Sequence, residues 1–230
     1  MKQVLKKILN RIGLLGSIYR MSYRTGLISM IPSIYIRALS IHETNDPLVP
    51  ISSEKLLVFC PEEETVVVRK EVLKKLLDVT SKLPNGYKLK VLYAYRSLDV
   101  QRKFWEEVCL RVKQENPSFS ADEVVSEARK YSASPTGEGP HQTGGAVDVL
   151  IVNEKGDPLD FGTEYRGFGE LVPMHSRLVT KKQKENRILL RDAMLSAGFV
   201  YYPGEWWHYS FGDQAWAAYT GNKYAWYGSV

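Results

Sequence analysis

The sequence predicts an α+β fold: a small, mainly antiparallel sheet flanked by helices. Three observations carry that expectation. Segments with apolar residues at helical spacing mix with short apolar or β-branched runs, without the regular strand–helix–strand order that builds a parallel sheet. Two aromatic-rich runs, Phe199 to Tyr202 and Trp206 to Phe211, are joined by Pro203-Gly204, a turn that sends the chain back antiparallel. An apolar fraction of 44% over 230 residues is enough for one well-filled core, so a single domain of ordinary size is expected.

Residues 1–45 read as a basic, partly amphipathic N-terminal extension ahead of a catalytic domain over 46–230. Val4, Leu5, Ile8, Ile12 and Leu15 recur at helical spacing opposite Lys2, Lys6, Lys7 and Arg11. Asn10 and Arg11 interrupt the apolar run and no small-x-small cleavage site follows, so a signal peptide is not expected and a cytoplasmic location is. No run is long enough to span a bilayer. Such a helix docks on the domain itself, or makes a weak contact with a membrane surface or partner. Asn45-Asp-Pro-Leu-Val-Pro50 has the proline spacing of a boundary loop.

After Pro61, Val68, Val72, Leu76, Val79 and Leu83 form one helical stripe, closed by Pro84-Asn85-Gly86. Lys88 to Tyr95 reads as a strand, and Leu98 to Gln114 as a helix ending at Asn116-Pro117. Ser120-Ala-Asp-Glu123 is a capping-box signature that opens a helix to about Tyr131. Ser132 to Gly145, rich in Ser, Pro and Gly, is a loop that delivers His141. Ala146 to Val152 alternates as a strand, with Ala146, Asp148 and Leu150 on one face. Residues 153–179 are loop-rich. Thr180 caps a helix through Ala197 that stops at Gly198.

The net charge of +5 is spread among interleaved acidic residues, which does not suit a nucleic-acid binder. Cys60 and Cys109 form no C-x-x-C pair, so free thiols are expected and a thiolate metal site is not.

Two short segments hold the chemistry: His141-Gln-Thr-Gly-Gly-Ala-Val-Asp148 and Glu205-Trp-Trp-His208. His141, Asp148 and His208 supply three N/O ligands for one zinc ion, leaving the fourth position open as catalytic zinc requires. Asp148 is a carboxylate inside an apolar strand, costly unless paired or bound to metal. Gly144-Gly145 lets the backbone turn sharply between the first two ligands. Glu205 and His208, three apart, would lie on opposite faces of a regular strand, but the Pro203-Gly204 turn places Glu205 at an irregular position beside the metal. A carboxylate near the zinc but not on it suits the general base of a hydrolase. Arg96, at the end of the Lys88 to Tyr95 strand, suits stabilisation of an oxyanion.

H-x-x-G-x-A-x-D followed by E-x-W-H, with Tyr95-Arg96-Ser97 upstream, resembles the D-alanyl-D-alanine dipeptidases, zinc peptidases with the Hedgehog/DD-peptidase fold that include the dipeptidase of vancomycin resistance. The resemblance covers roughly residue 45 to the C-terminus. It implies zinc ligation by His141, Asp148 and His208, a catalytic base at Glu205, transition-state stabilisation by Arg96, and a small D,D-dipeptide as substrate. Two departures bear on substrate recognition. Gly139 stands where the family often has Ser. Phe161-Gly-Thr-Glu-Tyr-Arg166 resembles the family's M-G-T-x-F-D with Arg166 in place of the acidic residue. The rival readings are a peptidoglycan carboxypeptidase or endopeptidase of the same fold, and a zinc-bearing binding module without catalysis. Retention of Glu205 argues against the second. Trp206 and Trp207 are expected as core and pocket wall, His42 and His175 as surface or structural residues, and Asp157 and Asp160 as loop caps.

Overall fold

The structure, a computed structural model, describes residues 17–18, 21, 23, 30–52, 54, 56–59, 65–132 and 139–230. In chain order its elements are α1 (Ser33–Arg37), β1 (Ser40–Ile41), β2 (Leu48–Pro50), β3 (Leu56–Val58), β4 (Val67–Arg69), α2 (Lys70–Lys82), β5 (Lys88–Tyr93), α3 (Leu98–Glu115) and α4 (Ala121–Ala128). A 3-10 turn (Pro140–Thr143) then leads into β6 (Ala146–Val152), α5 (Lys181–Ser196), β7 (Val200–Tyr201), β8 (His208–Ser210), α6 (Gln214–Thr220) and β9 (Tyr224–Ala225). The helical repeat expected over residues 4–15 lies outside the described residues.

The main sheet runs β3-β5-β6-β8-β7. Only β3 pairs in parallel, with β5; every other neighbour is antiparallel, as the pattern predicts. Central β6 is buried at all seven positions, as its Ala-Val-Asp-Val-Leu-Ile-Val run, apolar on both faces except at Asp148, requires. Helix α2 buries Val72, Leu76 and Val79, and α5 buries Leu190, Ala193 and Met194, in the same core. Each Val, Leu or Met among them contributes about 1.5–3 kcal/mol when fully withdrawn from water. Helices α3 and α4 form a satellite cluster around Val112, Val124 and Ala128.

Several local boundaries differ from expectation, among them the last main-sheet strand, which begins at His208 and not at Trp206, and the helix from Ala121, which ends at Ala128. The helical stripe drawn from Val68 is two elements: Val68 lies in β4, paired with Val49, and the helix begins at Lys70. Val68 and Val72 are both fully buried, so one stripe reads continuously across a strand-to-helix junction. Leu48–Pro50, expected as loop, is the strand that pairs with β4. Strand β5 stops at Tyr93, not Tyr95, because the Ala94 carbonyl turns to the His141 ring and the Tyr95 N–H to the Val67 carbonyl.

Residues before 46 make contacts with the body of the molecule. Strand β1 pairs in parallel with β9. Tyr23 stacks on Tyr201 at 4.2 Å, and its hydroxyl hydrogen-bonds the Tyr201 backbone at the open side of β7. Arg69, at the end of β4, donates to the carbonyls of Thr143 (2.7 Å), Asp46 (2.6 Å) and Gly228 (3.2 Å) and pairs with Glu43. One buried guanidinium thus joins the approach to residue 46, the turn before β6 and the C-terminal strand segment.

Candidate metal centre and active site

Register sets the first geometry. Tyr93 on β5 lies opposite Asp148 on β6, and Asp148 lies opposite His208 on β8. Directly opposed residues in an antiparallel pair share a face, with Cβ atoms about 5 Å apart. A bulge between Val91 and Tyr93 realigns the strands at that row. His141 arrives from the adjacent 3-10 turn. Gly144 closes this turn at φ 70°, and at Gly145 a Cβ would lie 2.4 Å from the Phe211 carbonyl oxygen, so only glycine admits this approach to β8.

The three side chains that the sequence nominates therefore meet. One ligand atom from each of His141, Asp148 and His208 lies within 4.8 Å of the others, and all three residues are buried. His141 Nε2 is 3.4 Å from Asp148 Oδ1, and His208 Nδ1 is 3.0 Å from the same oxygen. Ligand bonds of 2.0–2.2 Å at a tetrahedral ion give donor separations of about 3.3 Å, which these distances bracket.

Tautomers sharpen the fit. His141 Nδ1 sits 2.6 Å from the Ala94 carbonyl, an acceptor only, so Nδ1 carries the proton and donates it there. Burial pushes the His141 pKa down to about 4, outweighing the pull of Asp148, so the ring is neutral. Its Nε2 lone pair then faces a carboxylate lone pair with no proton between them. The pair is short enough to look like a salt bridge, but a neutral ring cannot make one. A cation satisfies both atoms. Burial alone would raise Asp148, but the charge and hydrogen bond of an adjacent protonated imidazole hold the carboxyl well below its ordinary range, and His208, 3.0 Å away at Nδ1, is the ring that keeps its proton. For His208, burial opposes the charged ring but the Asp148 hydrogen bond prevails, so its pKa rises.

Glu205 follows the Tyr202 to Glu205 turn, its N–H donating to the Tyr202 carbonyl at 3.2 Å. Burial, reinforced by Asp148, pushes its carboxyl up to about 7, against the opposing pull of His208, Arg96 and a hydrogen bond from the Trp207 side chain. Arg96 donates its backbone N–H to the His141 carbonyl. Its guanidinium lies 4.4 Å over Tyr93 and 4.3 Å over Phe104, with Nη1 held by Gln101 at 3.0 Å. The buried Nε of Arg96 has no hydrogen-bond partner among the described residues.

Sequence reasoning did not single out Tyr165, whose hydroxyl donates to Asp148 Oδ2 at 2.8 Å. Burial and the Asp148 charge push that phenol well above its ordinary pKa, so it remains a donor. Arg166, beside it, has its guanidinium 3.8 Å over Phe104 and a φ of 59°. His175 instead hydrogen-bonds the Tyr201 hydroxyl at 2.9 Å, and His42 stacks on Tyr224. Asp160 caps its loop, accepting from Gly162 N and Gln183 Nε2. A cavity of about 590 Å³, lined by Phe59, Leu92, Leu150, Tyr165, Arg166 and Trp206 among others, adjoins the site through Tyr165.

The chain is similar to known proteins. The family model described as D-ala-D-ala dipeptidase (Peptidase_M15) matches residues 54–225. The D-alanyl-D-alanine dipeptidase of Synechocystis sp. is 27% identical over 219 residues, covering 78% of this chain and 87% of that relative. The Escherichia coli enzyme of the same name is 27% identical over 131 residues, covering 57% of this chain and 58% of its own. Among solved structures, a vancomycin-resistance D,D-pentapeptidase in complex with Zn(II) aligns at a TM-score of 0.46 and 18% identity, over 74% of this chain and 86% of that one. With most of its length inside the family match, the chain belongs to the D-ala-D-ala dipeptidase family of metallopeptidases.

Proposed function

We propose that this chain is a zinc-dependent dipeptidase that hydrolyses D-Ala-D-Ala or a close D,D-dipeptide. The observation that carries the reading is the convergence of His141, Asp148 and His208 on one point, with His141 Nε2 and Asp148 Oδ1 facing each other across 3.4 Å. Those three residues would hold the ion. When bound, zinc supplies a Lewis acid that polarises the scissile carbonyl and eases deprotonation of water near neutral pH.

The remaining steps belong to the protein. Glu205, poised near pH 7 by burial, accepts a proton from the attacking water and passes it to the leaving amine. Arg96 is held in place by two ring faces, Gln101 and its backbone bond to His141, and its charge, which acts on both His141 and Glu205, stabilises the developing oxyanion. Relatives named D-alanyl-D-alanine dipeptidase support the substrate class.

A D-alanine release assay on free D-Ala-D-Ala, with and without chelator, tests this. Turnover that chelation abolishes and zinc restores is expected; turnover indifferent to chelator removes the metal from the reaction. The adjoining cavity favours a second reading, a carboxypeptidase of the same fold, because it offers room beyond a bare dipeptide. Cleavage of N-acyl-D-Ala-D-Ala in preference to the free dipeptide would select it.

A further inference from the structure

The carboxylate of Asp148 has its two oxygens engaged differently. Oδ1 faces both imidazoles, at 3.4 and 3.0 Å, whereas Oδ2 accepts the Tyr165 hydroxyl at 2.8 Å. A carboxylate free to turn can offer an ion either oxygen or both.

The loop carrying Tyr165 is firmly placed. Trp206 Nε1 donates to Thr163 Oγ1 at 2.8 Å, and Phe161 stacks on the Trp206 ring at 4.2 Å. Tyr165 packs edge-on against Trp207 at 5.6 Å. Both tryptophans immediately precede His208, so the loop and the strand bearing the third ligand are fixed to each other. On the far side, Arg187 donates to the Phe161, Leu171 and Pro173 carbonyls.

We infer that Tyr165 is a positioning residue for the metal: its phenol occupies Oδ2 of Asp148 and leaves Oδ1 alone to ligate the ion. The inference rests on the assignment of His141, Asp148 and His208 as ligands. Tyr165→Phe keeps the ring and deletes only the donor to Asp148 Oδ2. Partners that orient metal ligands typically contribute 10–100-fold to metal affinity.

The test is zinc affinity of the wild-type chain and Y165F by competition with a chromophoric chelator, together with the visible absorption spectrum of each protein loaded with Co(II). Y165F is expected to bind zinc about 10-fold or more weakly and to show shifted cobalt bands, while its metal-free unfolding curve stays cooperative at a midpoint lowered by the one lost hydrogen bond. A purely packing role would move the unfolding midpoint and leave affinity and spectrum alone. Equal zinc affinity and identical cobalt spectra overturn the inference while leaving the ligand assignment intact. A wild-type chain that takes up no zinc overturns both.

Discussion

Replacing Glu205 with Gln should abolish turnover and, in the metal-free protein, make the fold more stable at pH 8. The folded carboxyl is raised from an ordinary 4.5 to about 7, chiefly by burial. A group whose folded pKa lies above its unfolded value contributes its stability below the unfolded pKa and loses it as pH rises through the folded one. The wild-type protein therefore pays for an ionised, desolvated carboxylate across the window from 4.5 to about 7. At 1.36 kcal/mol per pH unit this cost reaches about 3 kcal/mol, and partial exposure of the side chain reduces it to about 2. Gln carries no such cost and its amide oxygen still accepts from Trp207. Urea unfolding of metal-free protein at pH 4.5 and pH 8 measures the effect. The advantage of E205Q over wild type should grow by about 2 kcal/mol between those conditions, or about 4–8 °C in midpoint for a chain of this length. A bound divalent cation should erase it by stabilising the carboxylate. An advantage that does not change with pH refutes the claim that Glu205 ionises in a desolvated site.

Two further substitutions probe other parts of the molecule. Arg96→Lys keeps the charge but loses the planar fork stacked on Tyr93 and Phe104, and should lower kcat about 100-fold or more with zinc content unchanged, as read by steady-state kinetics and metal analysis. Arg187→Met should destabilise the fold by about 3 kcal/mol in urea, because three carbonyls that the guanidinium satisfies at 2.7–2.8 Å lose their donor.

The sequence was most legible where one local signal had no competitor. Strand β6 begins and ends where its alternation begins and ends, and the capping boxes at Ser120 and Thr180 open helices at the expected residues. Legibility failed where two signals coincided. A helical spacing from Val68 to Val72 straddles β4 and α2 because burial, not helicity, is what the spacing reports. The site residues were readable because histidines are few and an aspartate in an apolar strand demands a partner. Tyr165 was not, because a tyrosine in an irregular loop carries no periodicity. Its role arises only when β6 and the loop after it are brought together across 17 residues. The tautomer of His141 was equally hidden, since it depends on where the Ala94 carbonyl turns after β5 ends.

Arg166 is the position on which the choice between a free dipeptide and an acylated substrate should turn. It stands where the resembled pattern has an acidic residue, lines the cavity beside the site, and follows the tyrosine that holds Asp148. Its guanidinium and that of Arg96 lie over the same Phe104 ring, at 3.8 and 4.3 Å, so this corner carries two positive charges. A free dipeptide presents an ammonium as well as a carboxylate. The corner attracts the carboxylate and repels the ammonium; an acylated substrate has only the former to offer. Reversing one of two like charges beside a binding site shifts the balance between a ligand that carries an ammonium and one that does not. Arg166→Asp should therefore raise the kcat/KM ratio of D-Ala-D-Ala to N-acetyl-D-Ala-D-Ala about 10-fold or more, a difference of about 1.4 kcal/mol. Because His141, Asp148 and His208 are unchanged, zinc content should remain at wild-type level. A ratio that stays fixed while both rates fall would mean that Arg166 supports the loop and does not read the substrate's charge.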